Sequence, residues 1–297
     1  MARVAENGVQ PASRPPQAVA ALSVLALTGF AANSLLCRAA LRPHLVDAPT
    51  FTLVRLASGA LVLGALLLAR GSRPRAVWRE GSWKGALALF AYALAFSYAY
   101  LRLTAGTGAL ILFGAVQVTM MSRGLIRGER VRVRETLGLF AAATGLVVLC
   151  LPGLSAPDPL GALLMAFAGA SWGAYSLMGR GAVRPLMATA ANFARSLPFA
   201  ALGALASLPL APASPRGLAL AAASGSLASG LGYSIWYAAL PSLTATRAAI
   251  VQLSVPVLAA VGGVLLLGET LTLRLVAAAV LVLGGIGLAV LRPRPPA

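Results

Sequence analysis

Ala32-Asn33-Ser34-Leu35-Leu36-Cys37-Arg38 and Ala174-Tyr175-Ser176-Leu177-Met178-Gly179-Arg180 read as two versions of one phrase, 142 residues apart. Further matches hold a spacing of 140: Arg55 with Arg195, Thr104-Ala105 with Thr244-Ala245, Gly128-Glu129 with Gly268-Glu269, Arg134 with Arg274, and Gly145 with Gly285. Ala, Leu and Gly coincide readily in so apolar a chain, whereas the Gly-Glu and Arg matches are rarer coincidences. The sequence therefore reads as a duplication.

Around these matches the chain is almost wholly apolar. Of its 297 residues 59% are hydrophobic and only 10% charged, and the mean hydropathy is +0.85. Soluble domains run about 45–50% apolar and about 25% charged, so a water-soluble globule is excluded. Disorder is excluded too, because such a chain cannot stay solvated. The formal charge of +17 does not imply nucleic acid, since the basic residues sit between apolar runs and form no stripe. Cys37 and Cys150 lie in apolar runs and make no disulfide framework.

A helix needs about 20 mainly apolar residues to cross a bilayer. Ten segments qualify, near 19–40, 48–69, 83–102, 104–124, 134–151, 160–180, 186–207, 216–239, 244–267 and 273–291. The expected fold is an all-α polytopic membrane protein of ten transmembrane helices in two five-helix repeats. Residues 1–17 are read as a tail rather than a cleaved signal, because the run that follows exceeds a signal's roughly 7–15 apolar residues. Residues 18–151 are repeat 1, 152–159 a linker, 160–291 repeat 2, and 292–297 a second tail. With alternate loops grouped, seventeen basic residues fall on one side and five on the other, and Arg55 and Arg195 lie within spans. By the positive-inside rule both termini are cytoplasmic; in a bacterium the membrane would be the inner one. Five spans per copy also means that the second copy enters the membrane inverted. Inverted repeats are a recurring transporter architecture, with the substrate site near the midplane.

Ten spans in two halves, each with a Gly-Glu after its fourth span, resemble the drug/metabolite transporter (EamA-type) superfamily. The stretches Ser171-Trp172-Gly173-Ala174-Tyr175 and Gly29-Phe30-Ala31-Ala32-Asn33 resemble it as well. Within it the chain is most similar to bacterial YddG-type aromatic/amino-acid exporters. The resemblance implies a secondary transporter that exports amino acids, including aromatic and apolar ones, by alternating access. It also implies that spans 1, 3, 4, 6, 8 and 9 line the cavity. One departure is visible: the family often carries Pro in spans 4 and 9, but here only Pro256 in span 9 is present, as a helix break, opposite Val116 in span 4.

Candidate binding residues follow from chemistry and helical spacing. Tyr92, Phe96 and Tyr100 recur at i, i+4 and i+8 and share a face. Trp172 with Tyr175, and Tyr233 with Trp236 and Tyr237, form two further clusters that could wall a cavity or simply pack helices. Asn33, Gln117 and Gln252 are carboxamides at membrane depth, able to hold both ends of a zwitterion or to bond between helices. Arg55 and Arg195 are intramembrane charges, costly and commonly functional; the expected pairings are Arg55 with Glu269 and Arg195 with Glu129, as gates or structural ties. No acidic residue lies mid-span, so facilitated diffusion is expected, with proton-coupled antiport as the alternative. Other cargo would be a cationic drug, a nucleobase or a sugar-linked metabolite. Small residues in spans 5 and 10 suggest a scaffold and a monomer or weak homodimer. No metal, cofactor or catalytic residue is expected, since neither HExxH nor a nucleophile–base set is present.

Overall fold

The computed structural model describes residues 15–126, 133–151, 156–179, 182–207, 213–243 and 251–290. Glu129, Arg180 and Thr244-Ala245 lie outside these residues, as do most of both tails and half of the 152–159 linker. The described residues contain helices and no strands.

Local chemistry sets where the helices begin. Asp47 accepts a hydrogen bond from the Thr50 backbone N–H and starts α2 (Ala48–Ala69), with Pro49 in its first turn. Asp158 and Ser214 act in the same way, each followed by a Pro at the first helical position, for α7 (Pro159–Met178) and α9 (Pro215–Ala223). Ser82 caps α4 (Trp83–Tyr100). Such side chains satisfy N–H groups that have no intrahelical partner, and Pro has none to lose there. Helices α1 (Pro16–Leu41) and α8 (Pro185–Leu205) also open on Pro. The remaining long elements are α5 (Ala105–Ile126) and α6 (Val133–Cys150).

Two regions depart from the expected plan. The loop after span 2 contains a short helix, α3 (Pro74–Glu80). Span 8 is not a uniform helix: α9 passes into a π-helical segment, Ser224–Leu231, before α10 (Gly232–Ala239). The segment Ser-Gly-Ser-Leu-Ala-Ser-Gly-Leu is poor in good helix formers. A Cβ on Gly225 would overlap the Arg55 carbonyl oxygen and the Ser58 Oγ, so α2 lies directly against this widened backbone. Past Leu253, which interrupts the helical run, α11 (Ser254–Leu267) holds Pro256 in its first turn. Here Pro removes no intrahelical bond, so the interruption falls just before it. The last helix is α12 (Leu273–Val290).

Among the described residues, four helical stretches could cross a membrane by length and composition: α1, α2, α7 and Pro215–Ser242. Shorter apolar stretches occur in α5, α6, α11 and α12. Leu61, Phe140, Leu163, Leu265 and Val280 point outward, whereas Asn33, Arg38, Arg55 and Arg195 are buried. An apolar exterior with these polar side chains turned inward suits a polytopic protein in lipid.

Helix α7 packs between α4 and α5; α2 packs against α8 and the π segment; α1 touches α10 and α11. Helices α6 and α12 pair closely. A Cβ on Gly285 would stand 2.6 Å from the Gly138 carbonyl oxygen, so glycine allows this approach, while Gly284 and Gly287 face open space. This pair stands apart from the polar interior, as a scaffold would.

Candidate functional site

Between the helices lies a cavity of about 490 Å³, the size of a small-solute site. Its wall is mainly aromatic. Phe30 from α1, Tyr92 and Phe96 from α4, Trp172 and Tyr175 from α7, and Tyr233, Trp236 and Tyr237 from α10 all border it. Trp172 stacks on Tyr233 with centroids 5.5 Å apart and planes 19° from parallel, and its centroid is 4.9 Å from that of Tyr92. Phe30 contacts both Tyr233 and Trp236. The rings thus form one connected surface of π faces.

Polar groups interrupt this surface at few points. The Ser224 hydroxyl donates to Asn33 Oδ1 at 2.6 Å, and Asn33 Nδ2 donates to the Tyr92 hydroxyl oxygen at 3.4 Å. Ser229 borders the cavity with a buried hydroxyl that has no partner. Gln252, half-buried, also borders it. Thr189 and Asn192 of α8 were not anticipated. Thr189 bonds the Tyr237 hydroxyl at 3.2 Å, and Asn192 Oδ1 accepts the Ser82 N–H at 2.8 Å. Their only signal in the sequence was a polar side chain in an apolar run.

Nine of the eleven expected binding residues therefore border the cavity: Asn33, Tyr92, Phe96, Trp172, Tyr175, Tyr233, Trp236, Tyr237 and Gln252. Tyr100 and Gln117 do not. Tyr100 shares the Tyr92–Phe96 face but sits one turn further, at the end of α4. There its ring meets Phe96 edge-on at 4.7 Å and its hydroxyl donates to the Ala105 carbonyl. Gln117 follows Val116, which does border the cavity, and one residue of helix rotation, about 100°, turns it off the wall.

One of the two expected charge pairs is corrected. Glu269 pairs with Arg38, Oε1 to Nε at 3.1 Å, and not with Arg55. Its Oε2 accepts the Ala105 N–H at 2.8 Å, while Arg38 Nη1 donates to the carbonyls of Tyr100 at 2.9 Å and Leu101 at 3.3 Å. The Gly-Glu motif has a local reason. Gly268 ends α11 in the left-handed conformation, φ 63°, and the Glu269 N–H closes back onto the Gly263 carbonyl. That turn, natural for glycine, aims the carboxylate into the bundle. Arg38 is 6% and Glu269 9% exposed, so the pair lies buried about one turn beyond Ser34, the last residue of α1 to line the cavity, where α1 and α4 finish and α5 begins.

The other end is lined by Glu80, Ser82 and Gly85 near the start of α4 and by Gly179, Ala182 and Pro185 between α7 and α8. Among the described residues only a long contact spans it, Arg184 to Glu80 at 3.8 Å, and such pairs contribute little. Arg195 does not cross it. Its Nη2 donates to the Trp78 carbonyl at 2.5 Å and its guanidinium lies 4.0 Å from the Trp78 ring centroid. Its expected partner, Glu129, is outside the described residues. Among the described residues no group of three or more His, Cys, Asp or Glu could hold a metal.

Membrane-length helices around an aromatic pocket suit a membrane transporter, and comparison with known proteins points the same way. Residues 159–291 match the EamA-like transporter family. A Pseudomonas aeruginosa protein, "Uncharacterized protein PA1977", is 56% identical over 280 residues, which cover 94% of this chain and 96% of that one. A solved crystal structure shares the fold with a TM-score of 0.64 at 19% identity, over 93% of this chain and 98% of its own. Residues 159–291 thus form a domain of the EamA-like transporter family, within the drug/metabolite transporter superfamily.

Proposed function

We propose that the protein exports amino acids, including aromatic and apolar ones, across the bacterial inner membrane by alternating access and facilitated diffusion. In this reading ten spans form two inverted five-helix repeats, residues 18–151 and 160–291, with both termini cytoplasmic. The observation that carries it is the asymmetry of the cavity: the buried Arg38–Glu269 pair lies beyond one end, and among the described residues the other end has only the long Arg184–Glu80 contact. Arg70, Arg73, Arg75, Arg79 and Lys84 lie before and at the start of α4, so the basic-residue rule makes that other end cytoplasmic and the conformation inward-facing. Aromatic faces offer stacking to an apolar side chain, while Asn33, Ser229 and Gln252 offer hydrogen bonds without tight ionic capture, which suits a carrier that must release its cargo. Any self-association would use the open face of α12 at Gly284 and Gly287.

The test is counterflow of labelled amino acids in liposomes carrying the purified protein, its Trp172→Ala variant and its Gln252→Ala variant. The wild type should exchange at least one aromatic or apolar amino acid, and both variants should slow it tenfold or more. Absence of exchange for every amino acid refutes the substrate assignment; unchanged exchange in both variants refutes the site.

A further inference from the structure

Two of the three buried arginines lack a counter-charge among the described residues, and one of them lies against the cavity. Arg38 has a carboxylate and two carbonyls; Arg195 has one carbonyl, with Nε and Nη1 unpartnered, but packs on Trp78 and Trp83, which do not border the cavity. Arg55 is 1% exposed, and none of the ion pairs among the described residues includes it. Its guanidinium lies 5.2 and 5.0 Å from the ring centroids of Tyr92 and Phe96, and its Nε and Nη1 have no hydrogen-bond partner. Only Nη2 is engaged, donating to the Tyr92 hydroxyl oxygen at 2.9 Å. A buried cation without a counter-charge is expensive. This one rests against the cavity wall, because both rings it touches border the cavity.

The hydrogen-bond bookkeeping at Tyr92 gives the direction. Arginine can only donate, so the phenol oxygen accepts from Arg55; it also accepts from Asn33 Nδ2. The phenol's own proton must go elsewhere, and no described residue accepts it. Asn33 turns its Nδ2 toward the phenol, while its Oδ1 takes the Ser224 hydroxyl. The wall thus presents an O–H donor backed by a full positive charge in a low-dielectric setting, where such donors are strong.

We infer that the transported solute carries a carboxylate or similar anionic group that accepts the Tyr92 O–H and supplies the counter-charge Arg55 lacks. This rests on the cavity being the transport site. The solute's apolar part then meets the neighbouring Trp172 and Phe30 faces. A solute whose only charge is positive is disfavoured by the same buried cation, so Arg55 and Tyr92 together set the sign of the cargo. Arg55 acts through Tyr92 as a positioning residue.

The test uses three probes with one ring and different charge: 3-phenylpropionate, phenylalanine and phenethylamine. Their equilibrium binding to the full-length protein in detergent should favour both carboxylates over phenethylamine by at least tenfold. Tyr92→Phe, which keeps the ring and removes the donor, should cut that preference at least fivefold. Arg55→Met should do the same. Equal binding of phenethylamine, an unchanged preference in a folded Tyr92→Phe protein, or no binding of any probe overturns the inference. Selective carboxylate binding without movement of any solute in liposomes would defeat the transport reading and leave this inference standing. Transport of amino acids by a protein with no charge preference would do the reverse.

Discussion

Removal of one half of the Arg38–Glu269 pair gives a quantitative check on the buried contact beyond one end of the cavity. Glu269→Gln keeps the side chain's shape and an acceptor for the Ala105 N–H, and deletes only the charge. Breaking a buried ion pair by removing one partner costs about 3–5 kcal/mol. Arg38 would retain its bonds to the Tyr100 and Leu101 carbonyls, so the low end, about 3 kcal/mol, is expected. Arg38→Met also deletes those two bonds, each worth about 1 kcal/mol net, and leaves a buried carboxylate with only the Ala105 N–H; about 5 kcal/mol is expected. The double variant buries neither charge and loses chiefly the two carbonyl bonds, so it should fall by about 2 kcal/mol, well short of the sum of the singles, about 8 kcal/mol. Unfolding by SDS in mixed micelles, followed by tryptophan fluorescence, measures all four proteins. Singles that add to the double within about 0.5 kcal/mol would refute the coupling.

Gly225→Ala should destabilise by about 1–3 kcal/mol through overpacking, because the new methyl would collide with the α2 backbone at Arg55. Gly64→Ala, which meets nothing within 4 Å, should be neutral or gain about 0.5–1 kcal/mol; the same unfolding assay compares them, and equal effects would contradict the packing. On the orientation proposed, a cysteine replacing His44 should react with an impermeant maleimide from outside intact cells, and one replacing Trp78 only after the inner membrane is opened. Labelling of both from one face would break the inverted-repeat topology.

What was legible in the sequence was local chemistry. The Asp47, Ser82, Asp158 and Ser214 caps lie within a few residues of the helices they start, so span limits could be placed from short windows. The aromatic face of α4 was legible from its period, but not where the cavity stops along it, and so Tyr100 was over-counted. Gln117 was expected on the wall for a related reason: hydropathy gives a helix's depth, not its rotation about its axis. The partner of Glu269 was illegible because Arg38 is 231 residues away, and Arg38, Arg42 and Arg55 offer the same charge on neighbouring stretches. Gly225 and its serines announced a weak helix, yet only the approach of α2 explains why the backbone there is widened.

The three buried arginines allow structural and functional charge to be separated by stability alone. Where protein groups neutralise a cation, replacing it with methionine orphans those groups, and unfolding becomes easier. Arg55→Met orphans almost nothing: Tyr92 loses one donor and keeps Asn33, no carboxylate is left bare, and two unpartnered nitrogens vanish from the interior. Replacing a poorly compensated buried charge by an apolar side chain of similar length is often neutral or stabilising by about 1–4 kcal/mol. The expected outcome is therefore an opposite sign for the two variants, Arg38→Met less stable and Arg55→Met no less stable than the wild type, with carboxylate preference lost in the second. If Arg55→Met instead falls by about 3 kcal/mol or more under the same SDS titration, the charge is part of the framework, and the cavity must set the sign of its cargo by other means.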